Sequence, residues 1–510
     1  MESDNGYLVW TDLDRPLLRF EGDSWTGRDF LAQVRKLSRL FSDRGVRAGE
    51  RVLFLLENSP QFLLSMLAIQ KLGATVVPFN PRSTELEWRY VLQDTDAVLV
   101  LSESALALPS DKQNLTRVDL DSITQSESPR YVAGKDDLEF DPAAPAFICY
   151  TSGTTSRPKG VVLSHANVFA CLRSLKVAWR RTRNDRLLLA LPLFHVHGLI
   201  VGALGSLRDG SEIVLHARFD PARVLQDLID GACTLFMGVP AMYIQLLACA
   251  RERKRPEANL HPNLRKMRLF ISGSAPLPAV IHQECERIFG QKILERYGMT
   301  ESLMVLSNPY EGERKAGSVG FPLPGVEVKL VDEEGGPVTR GELGEIWVRG
   351  PAVFKEYWNI REATKEVFCD GWFKTGDVAY QDSDSYFFIA GRKSLDIIKC
   401  SGFKVSAREI EERLMEIPSV REAAVVGVPD ALRGEQVIAF IRCQNSPVEA
   451  GVASTAKACD ILHTDLSRFL ETRLARYKHP AWYVFVEALP RNAMGKVSKT
   501  AVKELAQSMF

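Results

Sequence analysis

Five short segments carry side chains whose types and spacing suit phosphate and carboxylate chemistry. The first, "YTSGTTSRPKGVVLSHANV" at residues 150–168, concentrates hydroxyls, glycine and a lysine in one turn. Backbone N–H groups and Ser or Thr hydroxyls in such a turn can cradle phosphate oxygens. It is not a Walker loop, which reads Gly, four residues, then Gly-Lys-Ser/Thr. Here Pro158 stands at the second glycine and Gly160 at the magnesium-binding hydroxyl. The turn is expected to lead into a helix, and the competing reading is a surface turn that binds nothing.

The second segment is "ERYGMTES", residues 295–302, where Glu301 offers a carboxylate to Mg2+, a hard cation shared with substrate phosphates. The third is "GWFKTGDVAY", residues 371–380, in which Asp377 is placed to accept both hydroxyls of a ribose. The fourth and fifth are "GRKSLDIIKCSGFKV", residues 391–405, and "PRNAMGKVSKT", residues 490–500, with Lys496. Each has an ordinary reading when taken alone: a solvated charge, a turn-forming Gly-Asp, an exposed terminal lysine. "LPLFHVHGL" adds His195 and His197, but an H-x-H metal site lacks a third ligand at recognisable spacing.

The elements that must hold these residues are of two kinds. "RVLFLLENS", "ATVVPFN", "AVLVLSES", "RLLLALPLF" and "EIVLHARF" are apolar runs separated by amphipathic stretches such as "PQFLLSMLAIQKLG". That texture predicts parallel strands buried on both faces of α/β sheets. From about Gly317 the chain turns to short strands and turns, "PGVEVKLVDEEGGPV", "GELGEIWVRG" and "SDSYFFIAGR", which reads as a small β-rich subdomain. After Arg392 come a helix in "KVSAREIEERLMEI" with a capping box of Ser406 and Glu409, a strand "REAAVVGVPD" and a long helix "CDILHTDLSRFLETRLARY". These make a separate α+β domain with a boundary near 392 to 396.

At 510 residues the chain exceeds one core, and its 64 basic and 64 acidic residues cancel. Such a balance gives no reason to expect nucleic acid or an anionic membrane as partner. The nine cysteines form no C-x-x-C pair, so free thiols in a reducing compartment are expected. "MESDNGYLVW" lacks the basic and apolar regions of a signal peptide, and no run reaches the length of a membrane span. A soluble, cytoplasmic protein is the expectation.

Taken in this order, the five segments resemble those of the adenylate-forming superfamily of acyl-CoA synthetases, peptide-synthetase adenylation domains and luciferases. The resemblance runs from "TGRDFLAQVRKLSRLF" at residue 26 to Lys496. It implies a large N-terminal α/β domain, residues 1–392, holding ATP and the acyl substrate, and a small mobile α+β lid, residues 393–510, carrying the catalytic lysine. It implies the cofactors ATP, Mg2+ and CoA. Splitting ATP into AMP and pyrophosphate needs no Walker geometry. A carboxylate attacks the α-phosphorus, and a thiol then takes the acyl group after the lid rotates about Lys393 or Ser394.

By the same resemblance Thr151, Ser152, Gly153, Thr154, Thr155 and Lys159 hold the leaving phosphates, and Ser156 stands where the family usually has Gly. Thr300 and Glu301 lie near Mg2+ and the α-phosphate. Ser274, Ala275, Glu295, Arg296, Tyr297, Gly298 and Met299 line the nucleotide, Asp377 holds the ribose and Arg392 supports ribose and phosphate. Lys496 bridges carboxylate and α-phosphate, and Gly402 lines the CoA channel. "RLFISGSAPLP", "ERYGMTES" and "SNPYEGERKAGSVGFPLPGVEV" look most like malonyl-CoA and methylmalonyl-CoA synthetases.

A dicarboxylate needs a cation for its distal carboxylate, which Arg296 would supply. The pocket is otherwise assigned to His195, His197, Gln245 and Met304, with Met242 and Leu303 beside them. Gln245 replaces an arginine frequent in those relatives, so a neutral pocket for a short- to medium-chain or unusual monocarboxylate is the alternative. The thiol acceptor is CoA or the phosphopantetheine of a carrier protein. A nucleotide-binding sensor or scaffold is the reading from a different class, and it predicts that Lys496→Ala changes nothing measurable.

Overall fold

Aliphatic and β-branched runs without polar alternation must bury both faces, and parallel strands joined by helices provide that. The computed structural model of the protein describes residues 10, 12–103, 116–119, 140–151, 158–252, 263–400, 403–430, 433–443, 463–491 and 497–509. The chain begins with β1 (Pro16–Phe20), β2 (Asp23–Thr26), α1 (Gly27–Asp43), β3 (Arg51–Leu55), α2 (Pro60–Lys71), β4 (Thr75–Pro78), α3 (Glu85–Thr95), β5 (Leu99–Ser102) and β6 (Thr116–Asp119). Next come β7 (Pro145–Thr151), β8 (Lys159–Ser164), α4 (His165–Ala178), β9 (Arg186–Leu189), a π-helix (His197–Leu204), α5 (Gly205–Asp209), β10 (Glu212–Leu215), α6 (Pro221–Asp230), β11 (Leu235–Gly238) and α7 (Pro240–Glu252). They are followed by β12 (Leu269–Ser272), α8 (Ala279–Phe289), β13 (Leu294–Met299), β14 (Leu303–Ser307), β15 (Phe321–Pro322), β16 (Glu327–Val331), β17 (Gly344–Arg349), β18 (Glu356–Tyr357), α9 (Arg361–Val367), β19 (Phe368–Cys369), β20 (Trp372–Gln381) and β21 (Phe387–Arg392).

Three sheets carry this part of the chain: β16-β17-β20-β19, with β21 beside β20, and two larger ones. One has the order β18-β8-β7-β4-β3-β5-β6, the other β15-β14-β13-β12-β11-β9-β10-β1-β2. The expected parallel strands are found: β3 pairs parallel with β4 and β5, and β9 with β10 and β11. Capped helices join parallel strands: Ser59 accepts the Phe62 N–H at the start of α2, and Asp220 accepts those of Ala222 and Arg223 at the start of α6. Phe54, Phe62, Phe147, Trp179, Phe236 and Phe270 are fully buried in one core.

The C-terminal segments are β22 (Ile397–Cys400), β23 (Phe403–Ser406), α10 (Ala407–Leu414), β24 (Val420–Asp430), β25 (Gly434–Cys443), α11 (His463–Glu471), β26 (Trp482–Phe485) and α12 (Lys499–Met509). Alternation along β24 sends Val425 to a core with Ile410, Leu414, Leu466 and Leu470, and Ala424, Val426 and Val428 to a second core with Val502 and Ala506 of α12. This sheet is therefore covered on both faces. Packing divides the chain into two compact units: Met1–Glu327 with Val348–Phe373, and Val328–Trp347 with Lys374–Phe510. Most of the β-rich stretch thus packs with the C-terminal segments.

Three local expectations change. The capping box at α10 is half formed: Ser406 accepts from the Glu409 N–H, but the Glu409 carboxylate takes the Lys478 ammonium at 2.7 Å through both oxygens. A full charge outcompetes a backbone N–H for a carboxylate. Among the described residues the long helix expected over 459–477 is the nine-residue α11, followed by a separate 3-10 turn at Arg476–Lys478. Among the described residues Cys149, Cys171, Cys233, Cys249, Cys285, Cys369 and Cys400 form no disulfide, whereas Cys443 is disulfide-bonded. Motif spacing along the chain does not reveal a pairing set by the fold.

Candidate active site

The hydroxyl-rich loop lies in a hairpin. β7 and β8 pair antiparallel, with Thr151 opposite Lys159 at the loop's base. The expected helix directly after the loop is instead β8, since Val161, Val162 and Leu163 are fully or almost fully buried there. Helix α4 begins only at His165, capped by Ser164 and Asn167. Among the described residues, phosphates at this loop would meet Lys159 on β8 rather than a helix N-terminus.

Lys159 and Glu301 are joined by a residue that the motifs did not single out. β18 pairs antiparallel with β8, which sets Tyr357 opposite Val161. The Tyr357 hydroxyl donates to Glu301 Oε1 at 3.0 Å, and the Lys159 ammonium stands 5.2 Å from the Tyr357 ring centroid. Glu301 is buried, and its carbonyl accepts the Phe354 N–H at 2.7 Å. One aromatic side chain thus touches both the cation meant for leaving phosphates and the carboxylate meant for a metal. "KEYWN" carries no recognisable catalytic pattern, and only the β18–β8 register reveals its part.

The turn between β13 and β14 that presents Thr300 and Glu301 is tightly built. Register shifts between Tyr297 and Gly298, and Leu303 adopts φ 52°, a left-handed conformation that costs a bulky residue on the order of 1–3 kcal/mol. A Cβ at Gly298 would fall 2.0 Å from the Leu303 carbonyl oxygen. Gly298→Ala is therefore expected to open this turn and lower the thermal midpoint by several degrees, with loss of activity in parallel; calorimetry of the variant checks it. An unchanged midpoint would count against the tight turn.

Arg296, next along β13, is buried, and neither its Nε nor its Nη2 has a hydrogen-bond partner among the described residues. Burial pushes its pKa down to about 10, opposed by the Cys171 thiol. Its guanidinium lies flat on Gly273, where any Cβ would come within 2.5 Å of Cζ. Ser274, the next residue, holds φ 66° and places Oγ 3.2 Å from Nδ1 of buried His197. His197 opens the π-helix, and Gly198 behind it sits so close to the Pro192 carbonyl that a Cβ would lie 2.3 Å from the oxygen. His197, Gly273, Ser274 and Arg296 are thus one cluster, drawn from three elements.

Other expected residues fall near it. The Glu295 carboxylate accepts the Leu277 N–H at 2.9 Å, so it holds the "SAPLP" loop from behind. Ala275 and Tyr297 are half-buried beside it, as are Met299 and Thr300 in the turn. Met304 pairs with Gly298 across β14 and β13 and is buried with Leu303 and Met242 in the main core. His195 is half-buried, its ring tilted against Phe194, and Gln245 is exposed on α7.

In the second unit, Asp377 and Arg392 are brought face to face by the β20–β21 register. Buried Asp377 pairs with Arg392 Nε at 2.8 Å, and Arg392 Nη1 donates to the Thr375 carbonyl at 3.1 Å. Gly376, at φ +72°, makes the bend between them and donates to Glu345, which also takes the Lys393 ammonium at 2.9 Å. A carboxylate and a guanidinium fixed side by side suit a ribose diol and its phosphate. Ser152, Gly153, Thr154, Thr155, Gly402 and Lys496 lie outside the described residues.

Comparison with known proteins agrees with this geometry. The AMP-binding enzyme family matches residues 10–358, and the AMP-binding enzyme C-terminal domain matches residues 409–496. The chain is 34% identical to a malonate–CoA ligase of Arabidopsis thaliana, over 97% of this chain and 86% of that protein. It is 33% identical to a long-chain-fatty-acid–CoA ligase of Bacillus subtilis, over 96% and 92%. ATP-bound MatB from Rhodopseudomonas palustris superposes with a TM-score of 0.85 at 33% identity, covering 98% of this chain and 97% of that one. The chain belongs to the AMP-binding enzyme family, in the acyl-CoA synthetase branch of the adenylate-forming fold.

Proposed function

We propose that this protein is a malonate–CoA ligase, joining malonate and CoA at the expense of ATP and releasing AMP and pyrophosphate through a malonyl-adenylate. Methylmalonate is the related substrate. The observation that carries the reading is Arg296: a buried guanidinium whose Nε and Nη2 have no hydrogen-bond partner among the described residues suits a second carboxylate on the substrate. Exposed Gln245 carries no charge to replace it. The relative of that name in Arabidopsis thaliana supports the same choice.

In this reading the loop residues Thr151 to Thr155 and Lys159 neutralise the leaving β- and γ-phosphates. Thr300 and buried Glu301 fit Mg2+, which takes one or two protein carboxylates and shares the rest of its shell with phosphates and water. When bound, it supplies charge neutralisation of the phosphates. Asp377 accepts from the ribose hydroxyls, Arg392 supports them, and Lys496 meets charge growing at the α-phosphate. Residues 393–510 form the lid, turning about Lys393 or Ser394 so that CoA can approach past Gly402. Free CoA is the acceptor, with carrier-protein phosphopantetheine as the alternative.

The test is a competition in which protein, ATP, Mg2+ and CoA meet an equimolar mixture of acetate, malonate, methylmalonate, butyrate, octanoate and benzoate. Malonyl-CoA or methylmalonyl-CoA is the expected dominant product by mass. A dominant monocarboxylate product would overturn the substrate, and absence of any acyl-CoA would overturn CoA as acceptor.

A further inference from the structure

Three titratable side chains outside the assigned site meet inside the second unit. Lys499, the first residue of α12, contacts Glu411 Oε1 closely through Nζ, lies 3.3 Å from Asp396 Oδ1 and donates to the Val425 carbonyl at 2.7 Å. Asp396 uses Oδ2 to accept the Arg392 backbone N–H at 2.9 Å, and its carbonyl accepts the Ala407 N–H at 2.8 Å. Gly391 leaves it room: at φ +134° a Cβ there would fall 2.3 Å from Asp396 Cβ. Glu411 Oε1 also accepts the Val425 N–H, so each carboxylate is tied to backbone as well as to Lys499.

Helix stability does not explain this arrangement. A cation in the first turn of a helix opposes the macrodipole, and a buried ion pair is frequently no better than an apolar replacement. Burial, which lowers the Lys499 pKa, is outweighed by Glu411 and Asp396, so the lysine stays charged. What the cluster does supply is position. Lys499 stands three residues after Lys496, while Asp396 stands four after Arg392, and a single ion pair links the two segments.

We propose that Lys499 is a positioning residue for the adenylation step assigned to Lys496: clamped by Asp396 and Glu411, it anchors the start of α12, three positions after Lys496 in sequence, to the turn that follows Arg392. The inference rests on the assignment of Lys496 to the adenylation step. It predicts that the clamp matters for that step and not for thiol transfer, since Lys496 has no part in the second.

The test compares half-reactions: ATP–pyrophosphate exchange for adenylation, and transfer to CoA from a supplied acyl-adenylate. Lys499→Gln and Asp396→Asn should each lower exchange by about 100-fold, the scale of a misplaced catalytic group, and leave transfer within about threefold. The double variant should be no worse than the more damaged single one, because both remove one interaction. Asp396→Asn keeps an oxygen for the Arg392 N–H and carries the comparison if Lys499→Gln does not fold. Equal loss of both half-reactions, following the folded fraction by circular dichroism, would overturn the positioning role in favour of a structural one. Lys496→Ala run alongside separates the two levels: full exchange in that variant would overturn the underlying assignment itself.

Discussion

Arg296→Met protein is expected to form malonyl-CoA about 10²–10³-fold more slowly than the native chain, because a buried carboxylate loses its only proposed counter-charge at a cost of about 3–5 kcal/mol. Turnover of butyrate should hold steady or rise. Stability should move in the opposite direction from activity. The folded pKa of Arg296 lies at about 10 against 12.5 for the ordinary group, so between those values the unfolded chain binds more protons and stability rises with pH. Below that window the charged guanidinium costs stability on the order of 3 kcal/mol, which methionine of similar length removes.

The thermal midpoint of Arg296→Met should therefore match or exceed that of the native protein at pH 7. Malonate should raise the native midpoint and leave the variant's unchanged, since a ligand stabilises only the state that binds it. A variant that is destabilised and still turns over malonate would remove Arg296 from the substrate site.

Lys496→Ala is expected to lower ATP–pyrophosphate exchange by about 10²–10³-fold, the range found on removing one group that stabilises developing charge. Thiol transfer from a supplied acyl-adenylate should remain largely intact. In the proposed mechanism the lysine stands beside the α-phosphate in the first step, and the thiol approaches the same carbonyl from that side in the second. One rigid arrangement would block one of the two, which is why the proposal separates them by a rotating lid. Rapid-quench measurement of each half-reaction decides the matter, and equal loss of both would argue against a rotating lid.

Much of the architecture was legible because it depends on short-range pattern. Unbroken apolar runs such as Val52–Leu55 and Leu99–Leu101 require burial on both faces, and the parallel sheets followed. The residues proposed for the nucleotide could be picked out because their segments are contiguous: Thr151 and Lys159 flank one loop, and Thr300 and Glu301 one turn. Pattern gave no warning that the phosphate loop ends in β8, since a valine pair suits a strand or the buried side of a helix alike.

The sequence by itself determined the family and the reaction class and supplied the residues proposed for the site. Only the tertiary structure decided which of those residues meet. Tyr357 reaches Glu301 and Lys159 because β18 adds to the edge of β8, Asp377 faces Arg392 because β20 pairs with β21 in that register, and Lys499 finds Asp396 across a separation of 103 positions in the chain. Such contacts follow from strand order and register, which long-range packing selects from many local possibilities. That Arg296 Nε and Nη2 find no partner among the described residues is likewise a property of the assembled core, where burial removes the water that would otherwise satisfy the guanidinium.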